Sequence, residues 1–177
     1  MKNKFYLDIQ TDPAWANNEM GMPGDTLSMY GCLVTSLSNT KVLQKIAYTP
    51  KKLNTELRDK KGYAGLRNPE LKENQSFILW NSDANGTGAC DILGCKQSAG
   101  AFTYDEMKAA MNTGKIFFIA RVIVSYRNAH GVLVDIGHYI NILYQINGKY
   151  ICFDTYDGKT NMLEENDITA KIKVDYS

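Results

Sequence analysis

Few residues in this chain could do covalent chemistry: it has four cysteines and two histidines. Cys32 is the most informative of them. It follows Tyr30-Gly31 and opens a stretch with helical spacing, so it is predicted at a helix N-terminus. The unpaired N–H groups there carry partial positive charge, which favours the thiolate, the nucleophilic form of cysteine. The plainer reading is a buried structural thiol, a common fate of free cysteine. A nucleophilic thiol needs a base. His130, in Arg127-Asn128-Ala129-His130-Gly131, reads as a solvated loop histidine. His138 follows Gly137 and opens an alternating strand, with Ile140, Ile142 and Tyr144 on its face and Tyr139, Asn141 and Leu143 on the other. An acid would fix its tautomer. Asp154 and Asp157 both follow the strand ending at Phe153. Gln10 could donate its side-chain N–H to an oxyanion, together with the Cys32 backbone N–H.

Register decides between the two acids. A two-residue Asn147-Gly148 turn pairs Ile146 with Lys149 and sets Asp157 across from His138. A longer loop centred on Ile146 sets Asp154 across instead. A slip of one residue moves either acid to the opposite face. Periodicity leaves both open.

The elements that must hold these residues are legible in outline. Leu33, Val34, Leu37, Val42, Leu43 and Ile46 place a helix over about Cys32 to Ile46, with fraying at Ser38-Asn39. Thr49-Pro50 caps and opens a second helix carrying Leu53 and Leu57, ending before Gly62. Thr103-Tyr104-Asp105-Glu106 is a capping box before a third, which Gly114 ends. Phe5 to Ile9 alternates like a short strand, and 11–30 reads as a long irregular segment. Ile116 to Val124 is an apolar run expected to be a buried strand. His138 to Ile146 and Lys149 to Phe153 are expected to be its neighbours. Helices first and strands later predict an α+β domain, a helical N-terminal half packed on a C-terminal antiparallel sheet, as one domain over residues 1–177.

Composition narrows the function. Of 177 residues, 44% are hydrophobic and 22% charged, as in ordinary globular proteins. Twenty Lys and Arg against nineteen Asp and Glu leave a net charge of +1, which speaks against an electrostatic nucleic-acid binder. There is no apolar run of membrane-spanning length, and Asp8 interrupts the N-terminus before a signal peptide could form. Cytoplasmic synthesis is expected, with final location open.

The motifs, taken in order, resemble the C39-like, papain-fold cysteine peptidases. They are Gln10-Thr11-Asp12 with Trp15, Tyr30-Gly31-Cys32-Leu33-Val34-Thr35-Ser36, Thr49-Pro50-Lys51-Lys52-Leu53, Gly137-His138-Tyr139-Ile140, and Phe153-Asp154 with Gly158. The resemblance covers roughly Ile9 to Gly158. It implies Gln10 as oxyanion donor, Cys32 as nucleophile, His138 as base and Asp154 as orienter, and it favours the longer loop over the tight turn. Two departures stand out: Leu33-Val34 where many members have Gly-Pro, and Thr155 where many have Pro after the Asp. The Gly-Cys-x-Val-Thr-Ser form is similar to forms in phage-associated proteins. The resemblance implies no cofactor and no metal, and a peptide, protein or peptidoglycan stem-peptide substrate. An acyltransferase would use the same residues. A binding or structural protein could keep the fold without the chemistry.

Cys90 and Cys95 form a C-x4-C pair. A zinc site needs two further ligands near by, and a disulfide would not persist in a cytoplasm, so free thiols are expected. Cys152 is expected in the core. Trp80 and the Gly/Asn-rich region 81–100 are expected to form one wall of a cleft.

Overall fold

The computed structural model describes residues 6–67, 74–127 and 131–177. In chain order the elements are α1 (Leu27–Tyr30), α2 (Cys32–Leu43), α3 (Pro50–Asp59), β1 (Tyr63–Arg67), β2 (Asn74–Ile78), α4 (Ala89–Leu93), β3 (Lys96–Ala99), α5 (Tyr104–Met111), β4 (Ile116–Arg127), β5 (Leu133–Ile146), β6 (Lys149–Phe153), β7 (Thr160–Leu163) and β8 (Ile168–Asp175). Six strands form one antiparallel sheet in the order β3-β8-β4-β5-β6-β7, and β1 pairs with β2 separately. The chain is therefore α+β, with a helical N-terminal part and a large antiparallel sheet. No helix among the described residues is long and apolar enough to cross a membrane.

The sheet is covered on both faces, and strand alternation sorts the core. Ile119, Ile172 and Val174 face Leu27, Val34, Leu37, Leu53, Leu57 and Leu93 from α1 to α4. The intervening Phe118, Ala120 and Val122 join Ile140, Ile142 and Cys152 on the other face, closed by Met107 of α5. Each fully buried leucine or isoleucine contributes about 1.5–3 kcal/mol relative to exposure. This is why β4, buried on both faces, reads as a continuous apolar run. Trp80 packs against the helical-side core.

The helix caps follow from local chemistry. Thr49 Oγ1 accepts from the Lys52 N–H at 3.2 Å, with Pro50 in the first turn. Thr103 and Glu106 form the reciprocal capping box of α5. Three expectations fail. Tyr6 to Ile9 is not a strand, and Phe5 lies outside the described residues. Helix α2 stops at Leu43 instead of Ile46, because Lys45 takes a left-handed conformation at φ 64° that ends the helix. Ser38 and Asn39 do not fray. Both are fully buried.

The β5–β6 connection corrects the longer-loop expectation. Ile146 pairs with Lys149 across a tight turn whose Asn147 and Gly148 both have positive φ, 50° and 76°. Such a turn alone would send Asp157 toward His138. A β-bulge between Ile142 and Tyr144 intervenes, so Tyr144 pairs with Ile151 but Ile142 pairs with Cys152 and Asn141 with Phe153. The extra residue changes the register by one. Continued past Phe153, that register sets Asp154 opposite Ile140, diagonal to His138 and on its side of the strand.

Candidate active site

The site begins at Gly31-Cys32. Helix α1 ends at Tyr30 and α2 starts at Cys32, so one residue makes the corner. A Cβ at Gly31 would overlap the Leu27 carbonyl. Only glycine fits this close approach. The corner leaves Cys32 half-buried at the first turn of a twelve-residue helix. The free N–H groups of that turn put partial positive charge beside the sulfur.

His138 is 7% exposed and sits on β5 beyond the last β5–β6 pair, beside the segment that follows β6. Its imidazole Nε2 meets Asp154 Oδ1 at 2.7 Å, and the Cys32 thiol is close enough to act on the ring's charge. Burial pulls the imidazole pKa down. The hydrogen bonds and negative charge of Asp154 and Cys32 outweigh it and raise the value to about 10. Burial in turn raises the Asp154 carboxyl. His138 and the Tyr156 N–H, donating to Oδ1 at 2.8 Å, more than offset this and leave it lowered. Asp157 is elsewhere: its carboxylate takes Lys159 Nζ at 2.6 Å and the Lys159 N–H at 2.9 Å. His130 lies outside the described residues.

Gln10 bridges the two sides of the site. Its Nε2 donates to the Ser28 carbonyl of α1 at 2.9 Å, and its backbone N–H donates to Thr155, the neighbour of Asp154, at 2.6 Å. It is 2% exposed, and its Oε1 is buried with no hydrogen-bond partner among the described residues. The Ser28 bond fixes which end of the amide carries hydrogen and leaves the second Nε2 proton free.

Sequence reasoning missed the residues that hold helix and strand together. Asn39 on α2 clamps the Gln10 segment, accepting from the Asp8 N–H at 2.8 Å and donating to the Asp8 carbonyl at 3.0 Å. It also donates to Asn141 Oδ1 at 3.2 Å, while Asn141 Nδ2 donates to the Ser36 carbonyl at 2.9 Å. The Tyr139 carbonyl accepts from Ser36 Oγ at 3.1 Å and Thr155 Oγ1 at 3.0 Å. These bonds tie α2, β5 and the segment after β6 together on both sides of His138. The available signal was Asn141, a polar residue between Ile140 and Ile142; Asn39, between Ser38 and Thr40, carries none.

The raised His138 value sets a pH dependence of stability. Its contribution is full below the unfolded histidine value of about 6.5 and is lost as pH rises through about 10. The urea midpoint of the wild-type chain is expected to fall across that window. His138→Ala should lack that part of the fall. Parallel midpoint–pH curves for the two proteins would contradict the coupling.

No protein-family model and no curated protein matches the chain. Among solved structures, the crystal structure of a "putative C39-like peptidase from Bacillus anthracis" is similar at 15% identity, with a TM-score of 0.46. The match covers 81% of this chain and 88% of that one.

Proposed function

We propose that this chain is a cysteine hydrolase of peptide or isopeptide bonds, with a papain-like arrangement of its groups. The observation that carries the reading is the His138 Nε2–Asp154 Oδ1 bond at 2.7 Å, on a ring that also feels the Cys32 thiol at the start of helix α2. Cys32 Sγ attacks the carbonyl carbon, and the oxyanion takes hydrogen bonds from the Cys32 N–H and the second Nε2 proton of Gln10. His138, as imidazolium, protonates the leaving amine, which departs as the C–N bond breaks. A water then loses a proton to His138 and attacks the thioester, and Cys32 leaves as thiolate. Asp154 holds the ring in place and stabilises its charge. This chemistry uses no cofactor, and its substrates are proteins, peptides or peptidoglycan stem peptides.

The test is labelling by a thiol-reactive electrophile from about pH 5 to about pH 9, read at Cys32 by peptide mapping. Wild type should label fast well below the free-thiol pKa of about 8.5. His138→Ala should follow that free-thiol curve and be on the order of 10²-fold slower near pH 6. Slow labelling, or labelling indifferent to His138, would overturn the reading in favour of a binding protein that keeps the fold.

A further inference from the structure

Cys90 and Cys95 lie outside the site described above, and the backbone brings them together. Helix α4 ends at Leu93, and Gly94 follows in the left-handed region at φ 67°, ψ 46°. The Cys95 N–H then donates back to the Cys90 carbonyl at 2.9 Å. This six-to-one bond across a left-handed glycine is the Schellman ending, which presses the side chains at its two ends into contact. Here both are cysteines. Each is a free thiol, each acts on the other's charge, Cys90 is buried, and Cys95 is half-buried. Cys90 and burial push the Cys95 thiol well up, and the Lys41 ammonium, 4.3 Å from the Tyr176 ring, and Tyr176 itself oppose this only in part. The hydrogen bond from Cys95 lowers the Cys90 pKa, while Asp91 opposes this.

We propose that Cys90 and Cys95 are a reversible dithiol–disulfide site that closes by exchange with small disulfides. Cys95, the accessible sulfur, passes its proton to the Cys90 thiolate, attacks one sulfur of an oxidised low-molecular-weight disulfide and releases one small thiolate. Cys90 then attacks Cys95 in the mixed disulfide, forms the internal bond and releases the second thiolate. Two protein thiols are oxidised, one small disulfide is reduced to two thiols, and the two protein protons end on those thiols or in water. The exchange also reaches toward α2. Closure moves the Cys95 sulfur relative to Tyr176, whose hydroxyl is bonded to Thr40 at 2.6 Å, near the far end of the helix that Cys32 begins.

The experiment uses oxidised glutathione as probe, on the full chain carrying Cys32→Ala so that the reactive-site thiol adds nothing. Intact mass and peptide mapping after alkylation are the readouts. The expected product has lost two hydrogens, carries no glutathione, maps as Cys90 bonded to Cys95, and is restored by a reducing dithiol. Adding Cys90→Ala should stall the reaction as a lasting glutathione adduct on Cys95. Unchanged thiols in the Cys32→Ala protein, or stable adducts in place of an internal bond, would overturn the proposal. Its failure would leave the reading of Cys32 untouched, since Cys32 is absent from the experiment.

Discussion

Cys32→Ala should abolish turnover of any peptide or isopeptide substrate the wild-type chain cleaves. The loss is expected to be on the order of 10⁶-fold in kcat, because groups that act as a unit lose nearly everything when the nucleophile goes. The fold should persist: Cys32 is half-buried at a helix start, and alanine is a good helix former. Substrate should still bind, since His138, Asp154 and Gln10 are held by other bonds. Turnover together with binding, measured on the same substrate, therefore separates two classes of protein. Turnover retained in Cys32→Ala would remove the nucleophile from the mechanism. Equal biological effect of the two proteins would move the function to binding.

Asp154→Asn should lower kcat by about 10³- to 10⁴-fold while KM changes little, as for an orienting acid that acts through the base. The choice of asparagine matters. Its Oδ1 can still accept the Tyr156 N–H that Asp154 accepts at 2.8 Å, so the turn after β6 keeps its support. What is lost is the charge beside His138, and the upper pH limit of activity should move down from the neighbourhood of pH 10. Asp157→Ala should leave kcat near wild type, because that carboxylate is engaged with Lys159 at the surface. Equal loss in both variants would mean that the turn, and not the acid, is being measured.

The helix that Cys32 opens was legible because Gly31-Cys32 is followed by apolar residues at a broken helical spacing. The caps at Thr49 and Thr103 were legible because capping is local chemistry between residues three apart. The choice between Asp154 and Asp157 was not. The Asn147-Gly148 turn is as tight as its residues suggest, yet a single extra residue near Leu143 offsets it. Nothing in Ile142-Leu143-Tyr144 marks a bulge, since all three suit a regular strand. Sheet order was equally hidden. The alternation of Ile168 to Val174 permits a strand, but its place between β3 and β4 depends on pairing partners far away in the chain. Asn39 and Asn141 show a third limit. They are meaningful as a pair, 102 residues apart, and only the fold makes them one.

That sheet order constrains how the molecule comes into being. Strand β8, late in chain order, is an interior strand, and Cys32 and His138 reside on elements that precede it. While the chain is being synthesised, β3 and β4 wait with open backbone edges facing each other's absent neighbour. Such edges invite pairing with other chains. Closure must await a segment emerging near residue 175, across a long stretch of sequence, which is the slow kind of β assembly. A nascent chain therefore carries Cys32 and His138 before the sheet that positions them is complete.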